Sequence, residues 1–264
     1  QMAHYQLVAS AKTVIEGRKI NSDFKFGNMI LYNCCYAHTC DPVDQMILHD
    51  KLLPIYYFFD VQIRGKYTNT CLAYQKKMKA HFQIEDGDLE ILKQGTIDFY
   101  SFSYYSSLVE GKDVLKSADG NLLDGGRNPY LKATDWGWQI DPLGLRISLN
   151  LIYDRYQIPL FISENGMGAI DEFNNQTVED DYRIDYLKQH VKAIKAAIEE
   201  DYVDCFGYAW WGPIDIISAG TGEMKKRYGF VYVDLDDQGQ GTGKRYKKKS
   251  FDTYKKIIET NGEI

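Results

Sequence analysis

Short runs of apolar residues alternate along this chain with segments in which apolar positions recur every three or four residues. The apolar runs predict buried strands and the periodic segments predict amphipathic helices. The predicted strands cover residues 25–31, 97–105, 159–163 and 205–211, with a short additional strand at 228–233. The predicted helices cover residues 5–20, 41–51, 55–64, 143–156, 180–200 and 247–260. This alternation is typical of an α/β fold with a parallel sheet covered by helices.

Local signals mark some of the element ends. Asp41 precedes Pro42 and is predicted to cap the helix that begins there. Asn165 and Gly166 end the third strand, and the Gly- and Asp-rich stretch at 111–128 is predicted to be a loop.

The number of strands limits the architecture. A (β/α)₈ barrel needs about 250 residues, and the chain has 264. Only four main strands are visible, however, so the pattern permits either an open four-stranded sheet or half of a barrel. Half a barrel would leave two unpaired sheet edges, which are an aggregation liability.

Composition and charge exclude several classes of protein. A net charge of −6 argues against nucleic acid or a membrane surface as the main partner. No apolar run has transmembrane length and no signal peptide is recognised, so we expect a cytoplasmic protein. The odd number of cysteines favours free thiols in a reducing compartment, and no zinc ligand set is complete.

A carboxylate at the end of the third strand is the main candidate for chemistry. Glu164 follows an apolar run, and active sites of barrel enzymes lie at the carboxyl ends of their strands. It is either a nucleophile or general base, or a solvated glutamate before a turn. Tyr104-Tyr105 and Trp210-Trp211 end neighbouring strands. Aromatic faces beside a carboxylate suit a pyranose site, although each pair alone is also compatible with core packing.

A basic run follows the fourth strand. Residues 225–228 read Lys-Lys-Arg-Tyr, and Ser218 lies shortly before them. Such a run is usually a solvated face, but its position makes it a candidate anion pocket. No Gly-rich loop precedes a helix, which disfavours a nucleotide phosphate site.

Several motifs together resemble glycoside hydrolase family 1. Phe161–Gly166 (Phe-Ile-Ser-Glu-Asn-Gly) resembles the nucleophile motif of that family. The segments at 136–145, 180–187 and 219–230 are similar to the family segments that precede and follow it, in the same order. The resemblance extends from about residue 4 to the C-terminus. It implies a (β/α)₈ TIM-barrel fold in which residues 1–264 form the C-terminal half of a single domain and supply the fifth to eighth strands.

The resemblance also implies roles for individual residues. The family hydrolyses glycosides with retention, using two carboxylates, one as nucleophile and one as acid and base. Glu164 matches the nucleophile, Tyr105 the tyrosine that hydrogen-bonds to it, and Trp211 the tryptophan beneath the sugar. We expect further substrate contacts from Trp210, Asn165 and Ser103, the last standing where many members have asparagine.

The loop after the last strand indicates a phosphorylated substrate. In this loop, plain β-glucosidases of the family have a sequence similar to Asn-Phe-Glu-Trp, whereas this chain has Ile-Ile-Ser-Ala at 216–219. Ser218, Lys226 and Tyr228 match the set that binds the 6-phosphate in phospho-β-glycosidases. Ala219 favours the gluco series, because the resemblance places a tryptophan at this position in galactoside-specific members. The resemblance therefore implies a 6-phospho-β-glucosidase acting on phosphorylated cellobiose or aryl glucosides, with no metal and no organic cofactor.

The acid/base glutamate of the family, which lies in an Asn-Glu pair, has no counterpart in this sequence. We expect it on an N-terminal half of the barrel, which would be the chain's partner. A plain β-glucosidase, a 6-phospho-β-galactosidase and an inactive fragment that only binds phosphosugar stay open as alternatives, as does a homo-oligomer. A flavodoxin-like domain is disfavoured, because no phosphate-binding loop follows the first strand.

Overall fold

A computed structural model describes residues 1–115 and 125–263 of the chain, in which strands and helices alternate. The strands are β1 (Ile30–Leu31), β2 (Cys34–Ala37), β3 (Tyr100–Tyr104), β4 (Ser107–Glu110), β5 (Leu160–Asn165), β6 (Phe173–Asn174), β7 (Thr177–Val178), β8 (Cys205–Trp210), β9 (Val231–Val233) and β10 (Arg245–Lys247). The helices are α1 (Met2–Ile20), α2 (Pro42–Arg64), α3 (Asn69–Lys77), α4 (Asp88–Gln94), α5 (Pro142–Tyr156), α6 (Asp181–Glu199) and α7 (Lys249–Glu259).

The central sheet has four strands in the order β1-β3-β5-β8, and every neighbouring pair is parallel. This confirms the predicted α/β class and the four main strands. Helices follow the strands along the chain, as a parallel sheet requires. β1 and β8 are the edge strands, and in the described ranges each pairs on one side only.

The first two strands continue beyond their predicted ends. β2 and β4 form a second parallel pair, with Cys34 opposite Ser107. Tyr105 therefore lies in the short gap between β3 and β4 rather than at the end of a strand. Conversely, β1 has only two residues, and the predicted start of that strand contributes a single bridge between Gly27 and Phe99.

Helix α2 corrects the prediction of two separate helices. It runs without a break from Pro42 to Arg64, with Pro54 inside it. Proline removes one helical hydrogen bond, but Leu53, Tyr57 and Val61 are buried around it, and their packing maintains the helix. The predicted N-cap is confirmed, because the Asp41 carboxylate accepts a hydrogen bond from the N–H of Val43 at 2.9 Å.

Several short elements escaped prediction. α3 and α4 have nine and seven residues, and β6, β7 and β10 have two or three each. Elements of this length contain too few residues to show a period. Of the predicted loop at 111–128, residues 116–124 lie outside the described part of the chain, while Gly126 pairs with Val109 in an isolated bridge.

Among the described residues, three apolar clusters form the core. The largest lies between the sheet and helices α2, α5 and α6, and contains Tyr100, Phe102, Leu149, Leu160 and Ile162 among others. A second cluster lies under the carboxyl ends of β5 and β8 and includes Tyr186, Trp210 and Phe230. The third joins α1 to α2 and α4. The second cluster supports the strand ends where the candidate site lies.

The five cysteines are free thiols, as predicted. Burial raises the pKa of Cys34 to about 11 and that of Cys35 to about 12, so neither is a reactive thiolate at neutral pH. In the ranges that the structure covers, no helix is both long and apolar enough to cross a membrane.

Candidate active site

A β-bulge in strand β5 determines the direction of the Glu164 side chain. The register against β3 passes from Phe102 opposite Ile162 to Ser103 opposite Glu164, so Ser163 is an extra residue on β5. The register against β8 also shifts between Ile162 and Asn165. Bulges of this kind re-aim side chains and are common next to active sites. The apolar run alone gave no sign of this bulge.

Tyr105 donates a hydrogen bond to the Glu164 carboxylate. The distance from Tyr105 Oη to Glu164 Oε2 is 2.7 Å. Burial, followed by the hydrogen bond to Glu164 and its charge, raises the pKa of Tyr105 well above its usual value. The phenol therefore stays protonated, and one oxygen of the half-buried carboxylate is held by a neutral donor.

The three residues expected to bind phosphate lie together in the loop after β8. Ser218, Lys226 and Tyr228 are each between 1% and 4% exposed. The Tyr228 hydroxyl donates to Ser218 Oγ at 2.8 Å, and the Lys226 ammonium lies 5.8 Å from the centre of the Tyr228 ring. The structure thus brings two hydroxyls and one cation to the same place.

Lys226 is a buried cation surrounded by aromatic rings. Its Nζ lies 4.2 Å from the centre of the Trp138 ring and 5.3 Å from that of Trp136. Its stem packs on Gly168, where a Cβ would come within 2.7 Å of two of its carbons. Burial lowers the pKa of Lys226 to about 8. Within the described ranges no carboxylate forms an ion pair with this ammonium, so it is available to an anionic ligand.

Trp138 lies next to both Tyr105, which bonds to Glu164, and Lys226. It was not identified as a site residue from the sequence. Its ring centre lies 5.2 Å from that of Tyr105 and 4.2 Å from the Lys226 Nζ. Trp138 is 4% exposed, and its indole Nε1 has no hydrogen-bond partner among the described residues. The Trp-Gly-Trp spacing at 136–138 was the only signal in the sequence that pointed to it.

Three of the predicted substrate-binding residues lie beneath the site instead of on its surface. Asn165 is fully buried, and its amide bonds to the Tyr104 carbonyl and to two tyrosine hydroxyls. Trp210 is 5% exposed and donates its indole N–H to the Tyr228 carbonyl. Ser103 is 2% exposed, with its hydroxyl 3.3 Å from the sulfur of Met29. Protein atoms satisfy the polar groups of Asn165 and Trp210, so these side chains support the site from below. Direct contact of the three residues with a substrate stays a prediction.

Trp211 stands apart from these buried residues. It is half-buried, and its main-chain N–H donates to the Asn165 carbonyl at 2.9 Å. The strand ends of β5 and β8 are thereby joined directly next to Glu164.

The basic run at 225–228 divides between the site and the rest of the protein. Lys225 is exposed and pairs with Glu223 at 2.7 Å, while Arg227 is buried and donates to the carbonyls of Val233 and Leu235. Only Lys226 of the three cations therefore faces the hydroxyl pair. Glu223 is a carboxylate near this set that sequence reasoning overlooked, and the Trp136 indole N–H also donates to it at 3.3 Å.

The arrangement combines an oriented carboxylate with a buried ammonium and two hydroxyls, and Trp138 lies next to both Tyr105 and Lys226. The Tyr105 hydroxyl leaves the other oxygen of Glu164 free of this bond, as attack on an anomeric carbon requires. Two hydroxyls and a desolvated ammonium can bind a dianionic group by charge-assisted hydrogen bonds. In residues 1–115 and 125–263 no group of three His, Cys, Asp or Glu side chains is arranged to hold a metal ion.

Comparison with known proteins identifies close relatives. The chain is 48% identical over 269 residues to the aryl-phospho-β-D-glucosidase BglA of Bacillus subtilis (strain 168), with 100% of the chain and 56% of the relative covered. It is 49% identical over 273 residues to the 6-phospho-β-glucosidase of Clostridium longisporum (100% and 57%). It is 47% identical over 266 residues to the 6-phospho-β-glucosidase AscB of Escherichia coli (strain K12) (100% and 56%). The chain thus spans about 56% of the length of these curated relatives.

Solved structures agree with the sequence relatives. A β-glucosidase from Exiguobacterium marinum matches with a TM-score of 0.80 at 25% identity, over 98% of this chain and 57% of that one. A β-glucosidase from Thermotoga maritima in complex with castanospermine matches with a TM-score of 0.80 at 26% identity, over 99% and 56%. These neighbours are TIM-barrel enzymes, which confirms the predicted fold class. The family model of glycosyl hydrolase family 1 matches residues 1–263. The chain belongs to glycosyl hydrolase family 1.

Proposed function

We propose that this chain carries the nucleophile and the phosphate-binding residues of a retaining hydrolase of 6-phospho-β-glucosides. The observation that carries the proposal is the buried Lys226 ammonium beside the hydroxyls of Ser218 and Tyr228. A buried cation without a carboxylate partner is costly, and a bound phosphate would compensate it. The names of three similar curated relatives, which act on phosphorylated β-glucosides, support the same substrate class.

Glu164 is the proposed nucleophile. It attacks the anomeric carbon and forms a glycosyl-enzyme intermediate, which water then hydrolyses. Tyr105 orients the carboxylate before attack and stays protonated throughout. Trp211, half-buried at the end of β8, is the proposed platform under the sugar ring. Ala219 stands where the resemblance places a tryptophan in galactoside-specific members, which supports the gluco series.

We infer that further residues outside this chain complete the barrel and supply the acid/base carboxylate. The edges of β1 and β8 are open in the described structure, and open edges are normally covered or paired. An apolar groove of about 550 Å³ runs beside β8 between α6 and α7. Phe206 and Ile258 in this groove are 57% and 63% exposed. A neighbouring strand with its side chains would cover this surface, so residues 1–264 form part of a single domain.

The test compares three nitrophenyl β-glycosides with the complete protein that contains this chain. We expect the glucoside 6-phosphate to be hydrolysed much faster than the plain glucoside or the galactoside 6-phosphate. Glu164→Gln should abolish turnover but retain binding of glucose 6-phosphate. Equal turnover of the unphosphorylated glucoside would contradict the phosphate assignment, and full activity of Glu164→Gln would contradict the nucleophile. Assaying residues 1–264 alone tests the alternative of a binding fragment: binding of glucose 6-phosphate without turnover would favour it.

A further inference from the structure

Six charged side chains lie buried together behind the phosphate-binding loop. Five of them are 0% exposed and the sixth, that of Arg227, is 7% exposed. They are three acids and three bases, so their formal charges cancel: Asp171, Asp180, Asp215, Arg183, Arg227 and Lys248. Burying a single ion costs on the order of several kcal/mol, even after the protein relaxes. A cluster of this size therefore calls for a role beyond stability.

The cluster is a continuous chain of ion pairs. Arg183 Nη2 lies 2.9 Å from Asp171, and Lys248 Nζ lies 2.5 Å from Asp171 and 2.8 Å from Asp215. Arg227 Nη1 lies 3.5 Å from Asp215. Asp171 belongs to the segment that follows Glu164 on β5, and Asp215 belongs to the segment that follows β8. Lys248, at the start of α7, joins the two segments.

Asp215 fixes the backbone immediately after Tyr228. Its Oδ1 accepts the N–H of Gly229 at 2.9 Å as well as the Lys248 ammonium. The backbone approaches closely here, since a Cβ on Gly229 would lie 2.7 Å from the Pro213 carbonyl oxygen. The position of the Tyr228 ring and hydroxyl therefore depends on a carboxylate that cannot itself reach a ligand.

The backbone immediately before Tyr228 is fixed from the other side. The N–H and C=O of Arg227 pair with those of Ala169 at 2.9 Å each, in the segment after Glu164. The Arg227 carbonyl also accepts from Arg183. Lys226 thus precedes a residue that is hydrogen-bonded to the nucleophile's own segment.

We propose that Asp215 and Lys248 are positioning residues that hold Lys226 and Tyr228 in place for the 6-phosphate and join this pocket to the segment following Glu164. The inference rests on the proposed function, because it concerns the same phosphate pocket. Neither residue touches the ligand. Both act by fixing the backbone from which the ligand-binding side chains project. Selectivity for a phosphorylated sugar then depends on a buried ion pair that makes no contact with it.

The first experiment replaces Asp215 with asparagine. Asp215→Asn retains an oxygen that accepts from Gly229 but no longer neutralises Lys248. Binding of glucose 6-phosphate and of glucose to the chain is measured by calorimetry. We expect affinity for glucose 6-phosphate to fall about 10-fold, because the side chains of Lys226 and Tyr228 are no longer held in place, and affinity for glucose to stay unchanged.

The matched control is Asp60→Asn. Asp60 is also fully buried and pairs with Arg155 at 2.7 Å, but it lies on α2, outside the cluster behind the phosphate loop. We expect this variant to lose stability and keep its ligand affinity. Because Asp215→Asn leaves one buried positive charge in excess, the charge-balanced double variant Asp215→Asn/Lys248→Met is prepared as well. If the single variant fails to fold, the double variant carries the same expectation.

A second readout does not depend on ligand. In chain labelled with ¹³C-lysine, the Lys226 side-chain resonance is assigned with Lys226→Met, and its midpoint of titration is followed by NMR. We expect the resonance and midpoint to move in the Asp215 variants and to stay in place in Asp60→Asn. Preference for glucose 6-phosphate in all variants, with the Lys226 signal unmoved, overturns the inference and leaves the proposed function standing. Equal binding of glucose and glucose 6-phosphate by the unsubstituted chain overturns the proposed function, and the inference with it.

Discussion

Replacing Lys226 with methionine should stabilise the ligand-free chain at pH 7 while removing its preference for a phosphorylated sugar. Burial lowers the pKa of Lys226 from its ordinary 10.5 to about 8. At about 1.4 kcal/mol for each pH unit, this difference corresponds to about 3 kcal/mol of lost stability when both states are charged. The attraction between the Trp138 ring and the ammonium is part of that balance. Methionine has a similar shape without the charge, so the net gain should be about 1–3 kcal/mol.

The sign of the pH dependence follows from the same pKa values. Below pH 8 both states carry the charge, and the full penalty applies. Between pH 8 and 10.5 the unfolded chain binds more protons than the folded one, so the unsubstituted protein becomes more stable as pH rises. The advantage of Lys226→Met should therefore shrink to about 1 kcal/mol or less at pH 10.

The stability difference between Lys226→Met and the unsubstituted chain is measured at pH 7 and pH 10 by urea unfolding followed by circular dichroism. The two proteins must show the same slope of unfolding free energy against urea concentration. Lys225→Met is the control, because Lys225 is exposed and paired with Glu223. It should change stability by no more than about 0.5 kcal/mol. A Lys226→Met chain that is no more stable than the unsubstituted one at pH 7, or whose advantage grows toward pH 10, would refute the reasoning.

Three further predictions follow from the geometry. Tyr105→Phe removes the hydrogen bond to Glu164 and should lower kcat/KM of the complete enzyme about 10- to 150-fold on a nitrophenyl glucoside 6-phosphate; an unchanged value would show that Glu164 needs no such donor. Burial lowers the pKa of His190 to about 4, below its unfolded value, so stability should be lost as pH falls from 6.5 to 4. His190→Gln should flatten that part of the unfolding profile, and an equally steep profile would argue against it. Gly168→Ala should displace the Lys226 stem and weaken glucose 6-phosphate binding about 10-fold, with normal affinity counting against the contact.

The sequence predicted the strands better than the geometry of the site. Buried parallel strands are continuous apolar runs, so β3, β5 and β8 could be located from hydropathy alone. The bulge at Ser163 could not, because a shift of register depends on which residue of the neighbouring strand lies opposite. The prediction of separate helices at 41–51 and 55–64 was wrong, because the low helix propensity of Pro54 disfavours a helix that tertiary packing nevertheless maintains.

Residue types were informative about the site only where chemistry is unusual. A glutamate after an apolar run and a serine, lysine and tyrosine near one strand end pointed to Glu164 and the phosphate set. The tryptophans were ambiguous, because Trp138 and Trp210 are both buried aromatic residues and only their neighbours distinguish a site residue from a core residue. Asp215 and Lys248 are 33 positions apart, and nothing in the pattern of charges indicated that they form a buried pair.

The position of the tryptophans gives the molecule a built-in optical probe. All four lie at 136, 138, 210 and 211, and the helices α1 to α4 contain none. Trp138 touches the Lys226 ammonium, while Trp211 adjoins the end of β5 beside Glu164. Ultraviolet emission excited at the indole band therefore originates near Lys226 and the carboxyl ends of β5 and β8. A change in the charge of Lys226 or in local polarity would alter the intensity and wavelength of this emission. Unfolding confined to the first hundred residues, which contain no tryptophan, would leave the emission unchanged.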